Sequence, residues 1–353
     1  MAILIILSVH IWHGYTVNKE VCSLKEIKIT EQQQNQRLDK FLLKYFNKAP
    51  KNFIYKMLRK KRIKYNGKKG EGNEILQKGD CLQFYISDET MESFMEQKTI
   101  YKSERHFAVL YEDNNLLVVS KPAGLLVHPE KSSDKETLID QVLYYIYQKG
   151  QYIPSKDSTF TPAICNRLDR NTSGIVIVGK NLKAVQAVNE AIAKRKVNKY
   201  YISLVKGTIT KQGNIISYLE KDDKNNQVTL YDKPKQGTKK IITKYKPIAN
   251  AENMTLLEID LVTGRSHQIR AQMQKMGHCV AGDRKYGDEQ WNIHFAKQFA
   301  LTNQFLHAYK MVWQQNEGDL AYLVGKEWIA PLPKTLQEIY NFYFVTDKRG
   351  GSL

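Results

Sequence analysis

The first regular pattern of apolar and polar positions consists of two apolar runs at helical spacing, separated by Asn47 and Pro50. The first run comprises Leu38, Phe41, Leu42 and Tyr45, and the second comprises Phe53, Ile54, Met57 and Leu58. Each run predicts a helix with one apolar face. Strand patterns at 63–65 and 82–86, the first followed by an Asn-Gly turn, complete the segment. We therefore predict a small α+β domain over residues 31–86, near the lower size limit for independent folding.

A second and longer pattern contains more strand-like than helical segments. Strands are predicted at 107–111, 116–120, 174–179, 200–205, 241–247, 254–262 and 306–313, and helices at 135–147, after a cap at Asn181, at 267–276 and at 336–342. Because the strands are mostly joined by hairpins, we predict an α+β domain over residues 107–345, with a mixed or antiparallel sheet and flanking helices. In residues 87–106 the apolar pattern lapses and acidic residues cluster, which predicts a linker between the two domains.

The two ends of the chain lack such patterns, and we predict a poorly defined segment at 1–30 and a flexible tail at 346–353. The apolar stretch 2–12 is shorter than the roughly 20 residues that a membrane span needs. It has no basic residue before it and no small-residue cleavage site after it, which argues against a signal peptide. We therefore expect a disordered tail or a mis-set start site, in a cytoplasmic protein that does not enter a membrane.

Composition narrows the classes of partner. The 353 residues include 54 Lys and Arg against 36 Asp and Glu, a formal net charge of +18. This excess favours a polyanionic partner, because each cation placed near a phosphate releases counterions; a basic surface kept for solubility is the alternative. An apolar share of 42% excludes a disordered or collagen-like chain. Four cysteines without a CxxC pair indicate a reducing compartment and no zinc site.

The polar face of the second predicted helix concentrates positive charge. It carries Lys51, Lys56, Arg59, Lys60, Lys61 and Arg62. Such a face can hold structured RNA by its phosphates, largely by shape. A solvated helix face without a partner is the alternative.

The segment 166–174 is the first candidate for chemistry, because it places charged residues in a tight turn directly before a buried strand. Asp169 lies between Arg167 and Arg170, and nearby cations favour an ionised carboxylate that can act as a nucleophile or a base. A surface loop of ion pairs is the alternative.

Two further segments could contribute to the same site. On the strand at 199–207, Tyr200 and Tyr201 face opposite sides, so that one can line a cleft and there stack on a base or shuttle a proton. A core or interface tyrosine is the alternative. The third segment, 263–270, lies at a strand-to-helix junction. Its Arg270 lies one turn into the predicted helix, where the guanidinium could clamp a carboxylate or pair only with phosphate or solvent. The histidines show no metal-ligand spacing.

These three segments resemble, in the same order, the three sequence motifs of the RluA-type pseudouridine synthases. Supporting matches lie at 120–127, 243–245, 277–283 and 306–308. The resemblance covers nearly all of residues 107–330. Residues 37–86 look like the alpha-L RNA-binding motif, the S-four domain, that often precedes this catalytic domain. Asn166 departs from the family pattern, since many relatives have histidine there, and Cys279 stands where proline is usual.

The resemblance implies a role for each motif residue. Asp169 would be the catalytic aspartate, and Arg270 would pair with it. Tyr201 would stack beneath the flipped uracil and could take the proton from ring carbon 5. Arg167 would occupy the hole left by the extruded base. The carboxylate could attack the base or the ribose, or remove the ribose 2′ proton.

The implied protein is an RNA pseudouridine synthase that isomerises specific uridines of ribosomal RNA, in the branch of the large-subunit (23S) enzymes RluC and RluD. The isomerisation gains no atom and changes no oxidation state, so we expect no cofactor and no metal. We expect a monomer whose partner is structured ribosomal RNA. A non-catalytic RNA-binding or ribosome-assembly factor on the same fold is the main alternative. A metal-dependent RNA enzyme would need clustered carboxylates or histidines, which the sequence does not offer.

Overall fold

The computed structural model describes residues 24–96, 99–131, 133–154, 159–222, 227–315 and 318–345. They form two compact units, divided between Gln97 and Lys98. Of the predicted terminal segments, residues 1–23 and 346–353 lie outside the described residues. Within the described ranges, no helix has both the length and the apolar character that crossing a bilayer requires.

The N-terminal unit is built from one small sheet and the helices packed on it. Its strands are β1 (Leu24–Lys28), β2 (Ile63–Tyr65), β3 (Lys68–Lys69) and β4 (Cys81–Tyr85), and its helices are α1 (Leu38–Tyr45), α2 (Lys51–Arg59) and α3 (Asp88–Ser93). The strands are antiparallel, in the order β1-β4-β2-β3. The apolar runs of α1 and α2 form the core with the sheet, as their spacing predicts, and Phe41, Ile54 and Phe84 are fully buried there.

The Asn-Gly turn predicted after β2 is present and joins β2 to β3. Asn66 and Gly67 both have positive φ, 49° and 76°. Two such residues give a two-residue hairpin the twist of its strands, which is why Asn and Gly are favoured there. The turn therefore sets the register in which Tyr65 pairs with Lys68.

Three features of the N-terminal unit differ from the prediction. β1 lies inside the segment predicted as poorly defined. The predicted linker 87–106 contains α3, where Thr90 N donates to the capping Ser87 Oγ at 3.4 Å and Met91 is buried in the core. Because acidic residues surround Met91, the segment shows no apolar pattern from which a helix could be predicted. α2 ends at Arg59, because residue 61 is left-handed and turns the chain toward β2, so residues 60–62 do not lie on the helix.

The larger unit contains, within the described ranges, eleven strands and five α-helices. The strands are β5 (Ala108–Glu112), β6 (Leu116–Lys121), β7 (Ala163–Ile164), β8 (Ser173–Gly179), β9 (Val197–Lys206), β10 (Gly213–Asp222), β11 (Gln227–Tyr231), β12 (Lys239–Ala251), β13 (Met254–Asp260), β14 (Leu306–Trp313) and β15 (Glu327–Ile329). The helices are α4 (Leu138–Gln148), α5 (Leu182–Ala193), α6 (Gln268–Lys275), α7 (Glu289–Phe299) and α8 (Lys334–Tyr340). A 3₁₀ helix (Gly318–Leu323) and a π-helical turn (Asn341–Val345) complete the unit.

These strands form one mixed sheet, which confirms the predicted α+β class. The main path is β11-β10-β12-β13-β9-β14-β8-β6-β5, with β7 paired to β8 and β15 to β14. Among the described strands, only β8 and β14 pair in parallel, where Ser173 lies opposite His307. Gly174 is needed at this junction, because it has φ 117° and a Cβ there would lie 2.2 Å from Ala308 O. The segment that precedes β8 therefore reaches the sheet beside the start of β14.

The two faces of the sheet pack against different helices. Tyr201 and Ile259 contribute to a core that includes Ile269 of α6, whereas Ile202 belongs to a core that includes Phe295 of α7. Alternation along β9 therefore puts Tyr201 on the same side of the sheet as α6. This placement brings the second and third candidate segments together.

The sequence patterns did not predict the β10–β11 hairpin or α7. β10 alternates between exposed and half-buried positions over much of its length, so it carries no continuous apolar run. α7 presents a narrow apolar side on which Phe295 is the buried residue. Its start is nevertheless capped in the usual way, because Trp291 N donates to Asp288 Oδ1 at 2.8 Å.

Candidate active site

Asp169 lies on the loop at residues 165–172, between β7 and β8. At the start of this loop, the side-chain amide of Asn166 pairs with β8 as a backbone peptide would. Its Nδ2 donates to Ile175 O at 3.1 Å, and its Oδ1 accepts from Ile177 N at 2.7 Å. The residue that departs from the family pattern is therefore a structural anchor of the loop.

The end of the loop is anchored by a buried histidine. His307 Nε2 lies 3.1 Å from Ala330 O and so donates to it, which leaves Nδ1 to accept from Ser173 Oγ at 2.8 Å. Burial lowers the pKa of His307 to about 4, so the ring is neutral near pH 7. A neutral ring is the state in which one nitrogen donates and the other accepts.

Lys121, at the end of β6, ties the loop to the turn that precedes it. Its buried Nζ donates to the carbonyl oxygens of Pro122, Leu125 and Arg170 at 2.7, 2.8 and 3.0 Å. Three acceptors match the three N–H groups of an ammonium. Burial lowers the pKa of Lys121 to about 7, and the negative charge of Asp169 opposes this decrease. The sequence placed Lys121 in a matching segment without revealing this contact.

Arg270, on α6, joins two carboxylates. Its Nη1 donates to Asp169 Oδ2 at 2.9 Å, and its Nε and Nη2 donate to Asp283 Oδ2 and Oδ1 at 2.6 and 2.9 Å. The Asp283 side chain is fully buried, and that of Arg270 is 9% exposed, whereas that of Asp169 is 24% exposed. The two-point contact with Asp283 orients the guanidinium, so that its remaining side reaches Asp169.

The buried pair stays ionised. Burial acts to raise the pKa of Asp283, but hydrogen bonds and the charge of Arg270, with backbone N–H groups of Tyr286 and Lys285, hold that pKa below its usual value. Burial acts to lower the pKa of Arg270, and the bonds to Asp283 together with the charge of Asp169 raise it instead. Asp283 lies in the matching segment 277–283, but the sequence alone did not assign it to the site.

Neither arginine next to Asp169 in the sequence forms a hydrogen bond with its carboxylate in the described structure. Arg167 and Arg170 are both exposed, and Arg170 Nε donates to Gly124 O at 3.1 Å. The expectation that these two neighbours flank the carboxylate is therefore replaced by a contact with Arg270, 101 positions further along the chain.

Asp169, Tyr201, Arg270 and Arg167 line one cavity of about 710 Å³. Tyr201 is only 5% exposed. Burial and the negative charge of Asp169 raise the pKa of its phenol, which therefore remains protonated near neutral pH. The three residues predicted from separate motifs thus meet around a single space, with Arg167 at its exposed rim.

The basic residues predicted to bind RNA belong to the N-terminal unit. All six, at positions 51, 56 and 59–62, are exposed. Three are on α2 and three are in the turn that follows. No cluster of three or more His, Cys, Asp or Glu side chains that could hold a metal ion occurs in the part of the chain that the structure describes.

Comparison with known proteins identifies similar chains. Residues 115–275 match the family model described as RNA pseudouridylate synthase. The chain is 30% identical to an RNA pseudouridine synthase of Mycoplasma genitalium, over 82% of this chain and 89% of that protein. It is 28% identical to the ribosomal large subunit pseudouridine synthase C of Vibrio parahaemolyticus, over 89% and 94% of the two chains.

Comparison with solved structures also finds a pseudouridylate synthase fold. The solved structure of human RNA pseudouridylate synthase domain containing 4 matches with a TM-score of 0.51 at 19% identity. The match covers 66% of this chain and 91% of the human one. At this identity the likeness concerns the fold alone.

Proposed function

The chain belongs to the RNA pseudouridylate synthase family, and we propose that it isomerises specific uridines of large-subunit ribosomal RNA to pseudouridine. The relatives named ribosomal large subunit pseudouridine synthase C and D support this substrate. In this proposal the enzyme is a cytoplasmic monomer. It uses no cofactor, since the isomerisation neither adds an atom nor changes an oxidation state.

The observation that carries the proposal is the position of Asp169. Its carboxylate lines the cavity, and one of its oxygens accepts a hydrogen bond from Arg270. Breaking the bond between uracil and ribose and rejoining the ring through carbon requires one ionised carboxylate near the reacting atoms. Pairing with Arg270 offsets the cost of keeping that charge partly buried. The reaction also requires that bulk water be kept from the reacting atoms, because hydrolysis would release the base.

We assign the remaining cavity residues by their position and exposure. The neutral phenol of Tyr201 offers a flat apolar surface on which an extruded uracil can stack. The exposed Arg167 side chain is long enough to fill the space that the base leaves in the RNA. Flipping a paired base costs a few kcal/mol, which stacking and hydrogen bonds in the pocket recover.

The exposed cations of the N-terminal unit are proposed to hold the RNA through its phosphates. Exposed Lys and Arg side chains bind a polyanion with little dependence on base sequence. In this division of labour the N-terminal unit supplies affinity, and the larger unit chooses and converts the uridine.

The test is release of tritium from ribosomal RNA whose uridines carry tritium at ring carbon 5, because pseudouridine formation replaces that hydrogen. We expect the full chain to release tritium from large-subunit RNA and to leave a pseudouridine at each converted position. Binding of the RNA without release from any RNA would support the alternative, a binding or assembly factor on the same fold.

A further inference from the structure

Lys199 occupies a position in the cavity that the proposed chemistry does not use. It lies two residues before Tyr201 on β9, so both side chains project from one face of the sheet, about 6.8 Å apart along the strand. Both line the cavity that contains Asp169. Leu261 N donates to Lys199 O at 2.9 Å. Lys199 Nζ lies beside Gly264, because a Cβ at that glycine would stand 3.4 Å from it.

The ammonium of Lys199 is half-buried and lacks a bonded partner. Within the described residues, it makes no hydrogen bond and no ion pair. Lys206, at the other end of the same strand, is instead bonded to Asp288 at 2.6 Å. Burial lowers the pKa of Lys199, and Asp260 opposes this only through space. A desolvated cation with open donors is costly unless an acceptor joins it.

We propose that Lys199 binds a phosphate adjoining the flipped uridine, an inference that rests on the function proposed above. When a uracil stacks on Tyr201, its ribose and the flanking phosphates lie over the adjacent positions on the same face of the sheet. Lys199 occupies one of these positions. A phosphate oxygen supplies the acceptors that the ammonium lacks in the free protein. Lys is suited to this task, because its compact charge needs no two-point geometry.

The experiment uses a synthetic fragment of large-subunit ribosomal RNA that contains a uridine converted by the full chain. The phosphate on the 5′ or the 3′ side of that uridine is replaced by an uncharged methylphosphonate. Single-turnover pseudouridine formation is measured for the native chain, Lys199→Met and Lys199→Arg. The half-saturating protein concentration and the maximal rate are recorded for each RNA.

One of the two methylphosphonates should raise the half-saturating concentration of the native chain by about 10-fold. Lys199→Met should show the same increase with unmodified RNA and at most a two-fold further increase with that methylphosphonate. Lys199→Arg should lie within about three-fold of the native chain. Non-additivity of this kind is the signature of a direct contact, which a purely structural lysine would not give.

Two results would overturn the proposal. The first is an additive effect of Lys199→Met and of each methylphosphonate. The second is a loss in maximal rate with an unchanged half-saturating concentration, which would place Lys199 on the base instead. Lys211→Met, which removes an exposed ammonium outside the cavity, is the matched control and should not couple to either phosphate. Should Lys199→Met fold poorly, Lys199→Gln provides the neutral variant.

Failure of this inference is distinguishable from failure of the proposed function. A native chain that forms no pseudouridine in any ribosomal RNA would refute the function. A native chain that forms it, with additive effects at position 199, would refute only the phosphate contact.

Discussion

Two charged regions of this protein, the surroundings of Asp169 and the basic face of the N-terminal unit, hold their charges differently. Beside Asp169, Arg270 and Asp283 are buried and joined by two hydrogen bonds, and Arg270 also bonds to Asp169. In the N-terminal unit, the cations of α2 and the following turn are exposed to solvent. A buried charge must lie within hydrogen-bonding distance of its partner, because leaving it unpaired costs several kcal/mol. Exposed charges act through their number and tolerate movement.

Substitutions should therefore have large, non-additive effects in the first region and small, additive ones in the second. Asp169→Asn gives the largest expected effect. It keeps the shape of the side chain and removes its charge, so we expect single-turnover pseudouridine formation to fall by at least about 10³-fold. RNA affinity, measured by filter binding at constant salt, should stay within about two-fold.

The control for that substitution is Asp319→Asn, which removes an exposed carboxylate outside the cavity. It should leave both the rate and the affinity unchanged. Retention of full activity by Asp169→Asn would remove the basis for assigning the site.

Arg270→Met should reduce both activity and stability. It leaves the fully buried Asp283 without its partner, and breaking a buried pair costs about 3–5 kcal/mol in the free energy of unfolding. It also releases Asp169, so we expect the rate to fall by about 10²-fold. Denaturant unfolding and single-turnover rates measure the two losses separately.

The double substitution Arg270→Met with Asp283→Asn separates the two roles. It should recover part of the stability, because no carboxylate remains buried without a partner, but none of the activity. Recovery of activity in the double variant would mean that Arg270 serves only to balance Asp283.

Asp283→Asn should have a pH-dependent effect on stability. The pKa of Asp283 is lowered in the folded protein, so its ionised form stabilises the fold above the usual carboxyl pKa near 3.8, and this contribution is lost as the pH falls through the lowered value. At pH 7 we expect a loss of about 3 kcal/mol in the free energy of unfolding. The difference from the native chain should shrink below about pH 4. A difference that stays constant down to pH 3 would contradict the ion pair.

The smallest effect is expected on the exposed side of the comparison. Lys56→Gln should weaken RNA binding by about two- to five-fold and reduce the slope of log affinity against log salt by about 0.7–0.9, the contribution of one phosphate contact. The rate at saturating protein should not change. Lys25→Gln, an exposed lysine on β1, is the matched control. Equal losses for both variants would indicate a diffuse field rather than contact by α2.

Much of the fold follows from local patterns. β2 and β14 have the predicted bounds, 63–65 and 306–313, and β2 ends at the predicted Asn-Gly turn. Asn181 caps α5 as predicted, since Ala184 N donates to its Oδ1 at 2.9 Å. The unpredicted α3 and β10–β11 hairpin bury few apolar side chains, so their sequences carry no apolar pattern strong enough to predict them.

The amino-acid sequence by itself determined the class of fold and the three side chains around which the proposed site is built, since Asp169, Tyr201 and Arg270 each lie in a recognisable short motif. The resemblance also implied that Arg270 pairs with Asp169, but only the tertiary structure decided how the three side chains are held. The bonds of Arg270 to Asp169 and Asp283 join residues 101 and 13 positions apart. The contacts of Lys121 with three carbonyls likewise depend on which turns the sheet brings together. A motif specifies chemistry through residue type, whereas the partner of a buried charge is set by chain topology.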